Sequence, residues 1–216
     1  MNWPVSKTFS LIGLAFVIGL SLYGRQHLPD VPLATHFNAE GIADGFMPRD
    51  QALWFGPVML LILTALFWAL PILSPSNAPL ERSATAYGAA WISLTCVLVF
   101  AHFYIVARAF DRAPEAHWVR LMPGLLLIVL GNYLPKIRFN YVFGIRTPWT
   151  LSDERVWDRT HHFSGPVFIV AGLIILISAL FAPPSAFVAC LLGAALGAAA
   201  ISLLASCVFA RRLPPR

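Results

Sequence analysis

Residues 160–210 read THHFSGPVFIVAGLIILISALFAPPSAFVACLLGAALGAAAISLLASCVFA, a run without a single Asp, Glu, Lys or Arg. A helix crosses a hydrocarbon core of about 30 Å with about 20 apolar residues. The run is therefore too long for one span and long enough for two. Pro183-Pro184 divides it, because the second ring removes a backbone donor and clashes with the preceding turn. That gives spans at 164–182 and 185–208.

Working outward, the other charge-free stretches give spans at 8–24, 52–73, 85–106 and 118–135. The fourth has a short apolar core. It recruits Trp118 and Arg120, with the arginine snorkelling to the interface; if it failed to span, the topology beyond it would invert. The first follows the single basic residue Lys7 and has no clear A-x-A site, so it reads as a retained helix rather than a signal peptide. Composition agrees. Charged residues are 12% of the chain, hydrophobic ones 58%, and mean hydropathy is +0.73, against about 25% charge in soluble domains. The expected fold is an all-α integral membrane protein with six transmembrane helices.

Orientation follows from Lys and Arg. With the N-terminus inside, the inner side holds Lys7, Arg82, Lys136, Arg138, Arg146, Arg155, Arg159, Arg211, Arg212 and Arg216. The outer side holds only Arg25, Arg49, Arg108, Arg112 and Arg120. The expected topology is N-in, C-in in a cytoplasmic membrane. The net charge of +5 is then ordinary positive-inside bias; no clustered soluble basic face points to nucleic acid. Cys96, Cys190 and Cys207 fall in spans without metal-ligand spacing and read as small packing residues.

Two polar loops remain, and they suggest a division into 1–80, a helical pair around the outer loop 25–50, and 81–216, a four-helix region around the inner loop 136–162. In the outer loop, Asn38 to Gly41 suits a turn and Asp44-Gly45 is a second turn signal. The expectation is a hairpin-like excursion. His36, Asn38 and Asp44 form either a polar cluster that stabilises the hairpin or part of a metal site, which would need three or four ligands; the structural reading is preferred and no metal or cofactor is expected.

The inner segment reads GNYLPKIRFNYVFGIRTPWTLSDERVW from Gly131 to Trp157. Pro135 ends the fourth helix. Thr150 to Asp153 has capping-box form, with Ser152 as an alternative N-cap, which predicts a short interfacial helix over 152–161. Trp149 and Trp157 are expected in the headgroup zone, with Arg146, Arg155 and Arg159 near phosphates. Trp157 and His161 share a helix face. Asn132 is either a functional polar group or a helix-terminal amide bonded locally. Arg146 either grips an acidic partner group or anchors to phosphate. His102 reads as an interfacial residue rather than a proton relay, and His161-His162 as polar loop residues rather than a pH sensor. Gly193-x-x-x-Gly197 reads as intramolecular packing, with a dimer interface as the alternative.

The run Gly131–Lys136, with Asn140, Gly144 to Thr150 and Trp157, resembles the SdpI family of bacterial membrane proteins. The segment His36-Phe37-Asn38, with Gly41 and Asp44-Gly45, is similar to a small domain of unknown function that often precedes it. The resemblance implies immunity to a secreted peptide toxin and a receptor role that draws a cytoplasmic repressor to the membrane. It implies no catalysis. Carried over by position, it points to Asn132, Asn140, Arg146, Thr147, Pro148, Trp149 and Trp157 as site residues. His161-His162 stands where a more basic or amide-bearing pair is expected. The expected partners are lipid, a peptide toxin outside and a cytoplasmic regulator inside. The rival readings are a small transporter, which would need polar groups converging at mid-membrane, and an intramembrane enzyme. No G-x-S-x-G, H-E-x-x-H, P-loop or dinucleotide fingerprint supports an enzyme.

Overall fold

A computed structural model describes residues 3–38, 40–75 and 79–213, so Arg216 of the charge tally lies outside the described residues. The charge-free stretches are helices. In chain order the elements are α1 (Trp3–His27), β1 (Leu33–Phe37), β2 (Ala43–Met47), α2 (Arg49–Ala69), α3 (Ala84–Ala109), α4 (Ala116–Tyr133), α5 (Pro148–Ser152), α6 (Glu154–Phe181) and α7 (Pro184–Arg212). A 3₁₀ turn precedes α3 at Leu80–Ser83 and another follows α4 at Leu134–Lys136. Six of the helices are long and apolar enough to cross a membrane. Pro183 and Pro184 part α6 from α7 as expected, with Pro184 in the first turn of α7, where its missing N–H has no partner to lose. The chain is an all-α membrane protein apart from one hairpin.

That hairpin, β1 against β2, is antiparallel, with Leu33 opposite Met47 and Phe37 opposite Ala43. It stands at the same end of the spans as the α3–α4 and α6–α7 connections. The loop 137–147 lies at the opposite end. Leu33 anchors the hairpin in a cluster with Leu28, Ala52, Leu53 and Val106. Arg49 fastens its base by donating to Leu28 O at 3.1 Å and facing Asp50 at 3.0 Å.

Helices α1, α2 and α3 pack together around small residues. A Cβ at Gly13 would come within 3.1 Å of Thr95, and one at Gly24 within 2.9 Å of Leu53. Near the hairpin end, Ser21 Oγ lies 2.6 Å from Leu53 O and 3.0 Å from His102 Nε2. His102 is thus not interfacial: it is 2% exposed, with its ring against the backbone of Gly56. The glycine leaves room that any side chain would fill.

On the other side α4, α6 and α7 pack in sequence. Here the small-residue expectation is corrected. Nothing lies within 4 Å of a Cβ built at Gly193 or Gly197; these residues line a shallow groove between α6 and α7. The close approach is made instead by Gly124 and Gly131 of α4 against Gly172 and Gly165 of α6. Cys96 likewise faces outward rather than into the bundle. Exposed Leu192, Leu196, Ile201, Leu203 and Leu204 cover α7; in lipid such a surface carries no penalty.

Candidate functional site

The inner segment does not lie flat along the surface. It folds back as a knot between the start of α3 and the start of α6. The helix expected over 152–161 is not a separate element: α5 is one short turn, and α6 runs unbroken from Glu154 into the fifth span. The cap falls elsewhere than expected. Thr147 is the N-cap of α5, its Oγ1 accepting from Thr150 N at 3.1 Å while Thr150 Oγ1 accepts from Thr147 N at 2.8 Å. Pro148 takes the first helical position. Asp153 then caps α6, accepting from Arg155 N at 2.8 Å and holding the Arg155 guanidinium at 2.6 Å. Arg155 is therefore ion-paired with Asp153.

Asn140 is fully buried and organises the first half of the knot. Its Oδ1 accepts from Val142 N and Phe143 N, both at 2.8 Å, and its Nδ2 donates to Arg138 O at 2.9 Å. Ser83 Oγ accepts from Arg138 N at 2.9 Å and ties the loop to α3. Trp157 is not a headgroup anchor, being 0% exposed. Its Nε1 donates to Ile137 O at 2.9 Å, and Phe139 meets its ring edge-on at 5.4 Å. The loop must close over this indole to satisfy backbone groups that would otherwise be buried without partners.

His161 completes the knot. Its ring stacks on Trp157 with centroids 4.2 Å apart. Ile145 N donates to Nε2 at 3.0 Å, and Nδ1 lies 2.9 Å from Trp157 O. A carbonyl only accepts, so Nδ1 carries the proton and Nε2 the lone pair. Gly144, at φ 119°, brings the backbone so close that a Cβ would stand 2.6 Å from His161 Nε2. No side chain fits there, and the left-handed conformation independently favours glycine.

The structure therefore gathers Asn140, Thr147 and Trp157 into one buried unit. To these it adds buried Ser83, Thr150 and His161 and the exposed Gly144, none of them among the site residues to which the resemblance pointed. Arg146, Pro148 and Trp149 sit on the outer surface of that unit. Arg146 is exposed, with Nη1 donating to Val142 O at 2.9 Å, and Trp149 is 41% exposed. Asn132 is apart from the knot, exposed on α4 one residue beyond the buried Gly131.

At the far end, His36 Nδ1 and Asp44 Oδ1 lie 2.5 Å apart across the hairpin. Asn38 closes its turn: its backbone carbonyl accepts from Gly41 N at 3.0 Å, and Oδ1 accepts from Glu40 N and Ile42 N at 3.1 and 2.9 Å. Gly41 takes the φ of 81° that the turn needs. Among the described residues no group of three His, Cys, Asp or Glu could hold a metal ion.

Residues 136–209 match the SdpI/YfhL protein family and residues 11–61 match a domain of unknown function, DUF1648. The two resemblances read from the inner and outer motifs thus both hold. The immunity protein SdpI of Bacillus subtilis (strain 168) is 26% identical over 172 residues, 79% of each chain. The uncharacterized protein YfhL of the same strain is 34% identical over 58 residues, 26% of this chain and 53% of that one. No solved structure matches. The family match covers the knot from Ile137 to His161 and the last two spans, and the chain is a multi-pass protein of the bacterial cytoplasmic membrane.

Proposed function

We propose that this SdpI-family membrane protein protects the cell that makes it from a secreted antimicrobial peptide. The observation that carries the reading is the similarity to an immunity protein over four-fifths of both chains. The architecture supports it. A peptide arriving from outside meets the hairpin end, where Phe37, Asn38 and Tyr104 border a cavity. The opposite end, cytoplasmic by the charge count, carries the knot, whose surface offers Arg146, Pro148 and Trp149 to a cytoplasmic regulator. On this view the segment 1–80 supplies the outer receiving element and 81–216 the inner one. The buried motif residues act as structure, holding the three exposed ones in place. The role is non-catalytic.

The test is protection. Expression in a sensitive bacterium should raise survival under challenge with secreted antimicrobial peptides, and deletion from the native host should lower it. If neither changes sensitivity to any member of a broad peptide panel, the immunity reading fails. The regulator is tested separately, by recovering a cytoplasmic protein on membranes that carry the wild-type chain but not on membranes that carry R146Q/W149A.

A further inference from the structure

A groove of about 350 Å³ runs between α1 and α3 at the hairpin end of the spans, half open to the surface. Leu20 and Tyr23 form its α1 wall, and Phe103, Ala107 and Phe110 line its α3 wall. Phe103 to Phe110 is two turns of helix, about 10 Å at about 1.5 Å per residue. One leaflet of hydrocarbon is about 15 Å deep, half of a core of about 30 Å. The groove thus follows the helices through about two-thirds of one leaflet, between apolar walls.

Its charge stands at one end only. Helix α3 stops before Asp111, whose left-handed φ of 54° lets Arg112 N donate back to Ala107 O at 2.8 Å and Asp111 N to Arg108 O at 3.0 Å. This cap turns the chain out of the helix and sets Arg112 at the mouth of the groove, which it lines. No carboxylate, Asp111 included, shares that lining. The Arg112 guanidinium has no ion-pair or hydrogen-bond partner among the described residues. Tyr23 is fixed against the last turn of α3, its ring stacked on His27 at 4.2 Å and tilted against Phe110 at 5.5 Å. The groove between α6 and α7 is lined by aliphatic side chains, proline and glycine alone and holds no group that could select a polar head.

We propose that the groove between α1 and α3 holds one glycerophospholipid of the hairpin-side leaflet, the outer one by the charge count. A phospholipid has the polarity of the groove: an anion at one end and an apolar chain running from it. An acyl chain lies between Leu20, Phe103 and Phe110. Arg112 meets the phosphate with its planar fork of N–H donors, the geometry that suits this group. The Tyr23 ring takes the headgroup level, where tyrosine is common. A soluble anion would use the cation and leave the apolar walls empty; a wholly apolar ligand would leave the arginine unused. The site does not depend on the immunity reading.

The full chain, delipidated in neutral detergent, is titrated with phosphatidylglycerol, and bound lipid is counted by native mass spectrometry. One lipid should be retained more firmly than the rest. Its affinity should fall about tenfold for Arg112→Gln, the scale of a lost hydrogen bond to a charged group. It should be as much weaker for diacylglycerol, which has the tails but no phosphate. Leu20→Trp, which fills the groove, should abolish the site. Arg211→Gln removes the same charge at the opposite end of the spans, and Ile174→Trp fills the other groove; both should leave binding unchanged. Arg112 is exposed, so R112Q should keep wild-type thermal stability and decides the question even if L20W fails to fold. Equal binding by wild type and R112Q, equal loss in R112Q and R211Q, or displacement of the lipid by inorganic phosphate overturns the proposal.

Discussion

Gly131 of α4 and Gly165 of α6 meet backbone to backbone: a Cβ on Gly131 would stand 2.7 Å from Gly165 O, and a Cβ on Gly165 2.9 Å from Gly131 O. The contact repeats at Gly124 and Gly172, where the corresponding distances are 2.9 and 2.6 Å. Each helix places its two glycines seven residues apart, two turns along one face. In lipid, apolar burial does not drive helices together, so backbone approach and dispersion carry much of the association.

Gly131→Val is therefore expected to destabilise the bundle by at least ~1–3 kcal/mol, the scale of overpacking, because the obstacle is backbone and cannot swing aside. Gly193→Val should not destabilise, since nothing lies within 4 Å of its Cβ and helix propensity alone favours valine over glycine by a few tenths of a kcal/mol, at most about 0.5 kcal/mol. Unfolding of the purified chain in detergent distinguishes them. Equal losses would mean that the α4–α6 contact is looser than these distances require.

The His102 ring depends on the missing side chain of Gly56, where a Cβ would fall 2.3 Å from Nδ1. Gly56→Ala should destabilise strongly. His102→Ala removes the obstacle, so the double variant should recover part of the loss. A double-mutant cycle on thermal stability measures the coupling, expected at about 1–3 kcal/mol for residues in contact. Strict additivity would contradict the packing.

Within the knot, His161→Phe preserves the stack on Trp157 but removes the acceptor for Ile145 N–H. A buried amide left unsatisfied costs about 1–3 kcal/mol. Hydrogen exchange should show the Ile145 amide losing protection while the amides of mid-α6 keep theirs. Asn140→Leu should act more broadly, since it releases two amides and one carbonyl together. An unchanged exchange profile in both variants would contradict the hydrogen bonding described.

Much of the fold was legible because lipid imposes simple rules. Absence of charge marked the spans, Pro183-Pro184 divided the last two, and Asn38 and Gly41 announced the hairpin turn. The knot was misread for a physical reason. Thr147-Pro148 with Thr150 and Thr150 with Asp153 both look like helix starts, and Pro148, preorganised for a first helical position, was the signal favouring the former. Trp157 looked like an interface anchor because tryptophan is common there; only tertiary closure buries it under Ile137 and Phe139. His161 had no recognisable partner because Ile145 offers a backbone amide, which leaves no trace in sequence. The working glycines were visible at a spacing of seven but overshadowed by the tighter Gly193-x-x-x-Gly197.

The division between buried and exposed motif residues yields the sharpest separation of fold from function. Thr147→Val removes the hydroxyl of a side-chain cap and should cost about 1 kcal/mol, loosening α5 and with it everything α5 presents. Arg146→Gln and Trp149→Ala touch only the surface and should change stability by no more than about 0.5 kcal/mol each. If these two side chains serve a cytoplasmic partner, R146Q/W149A should insert and fold like wild type yet fail to recruit that partner, while protection from the external peptide persists. Reduced membrane insertion or stability would instead assign them to lipid anchoring. Measuring insertion, thermal stability, recruitment and protection on the same variant separates these outcomes, because recruitment lost with the other three intact is what an interaction surface alone predicts.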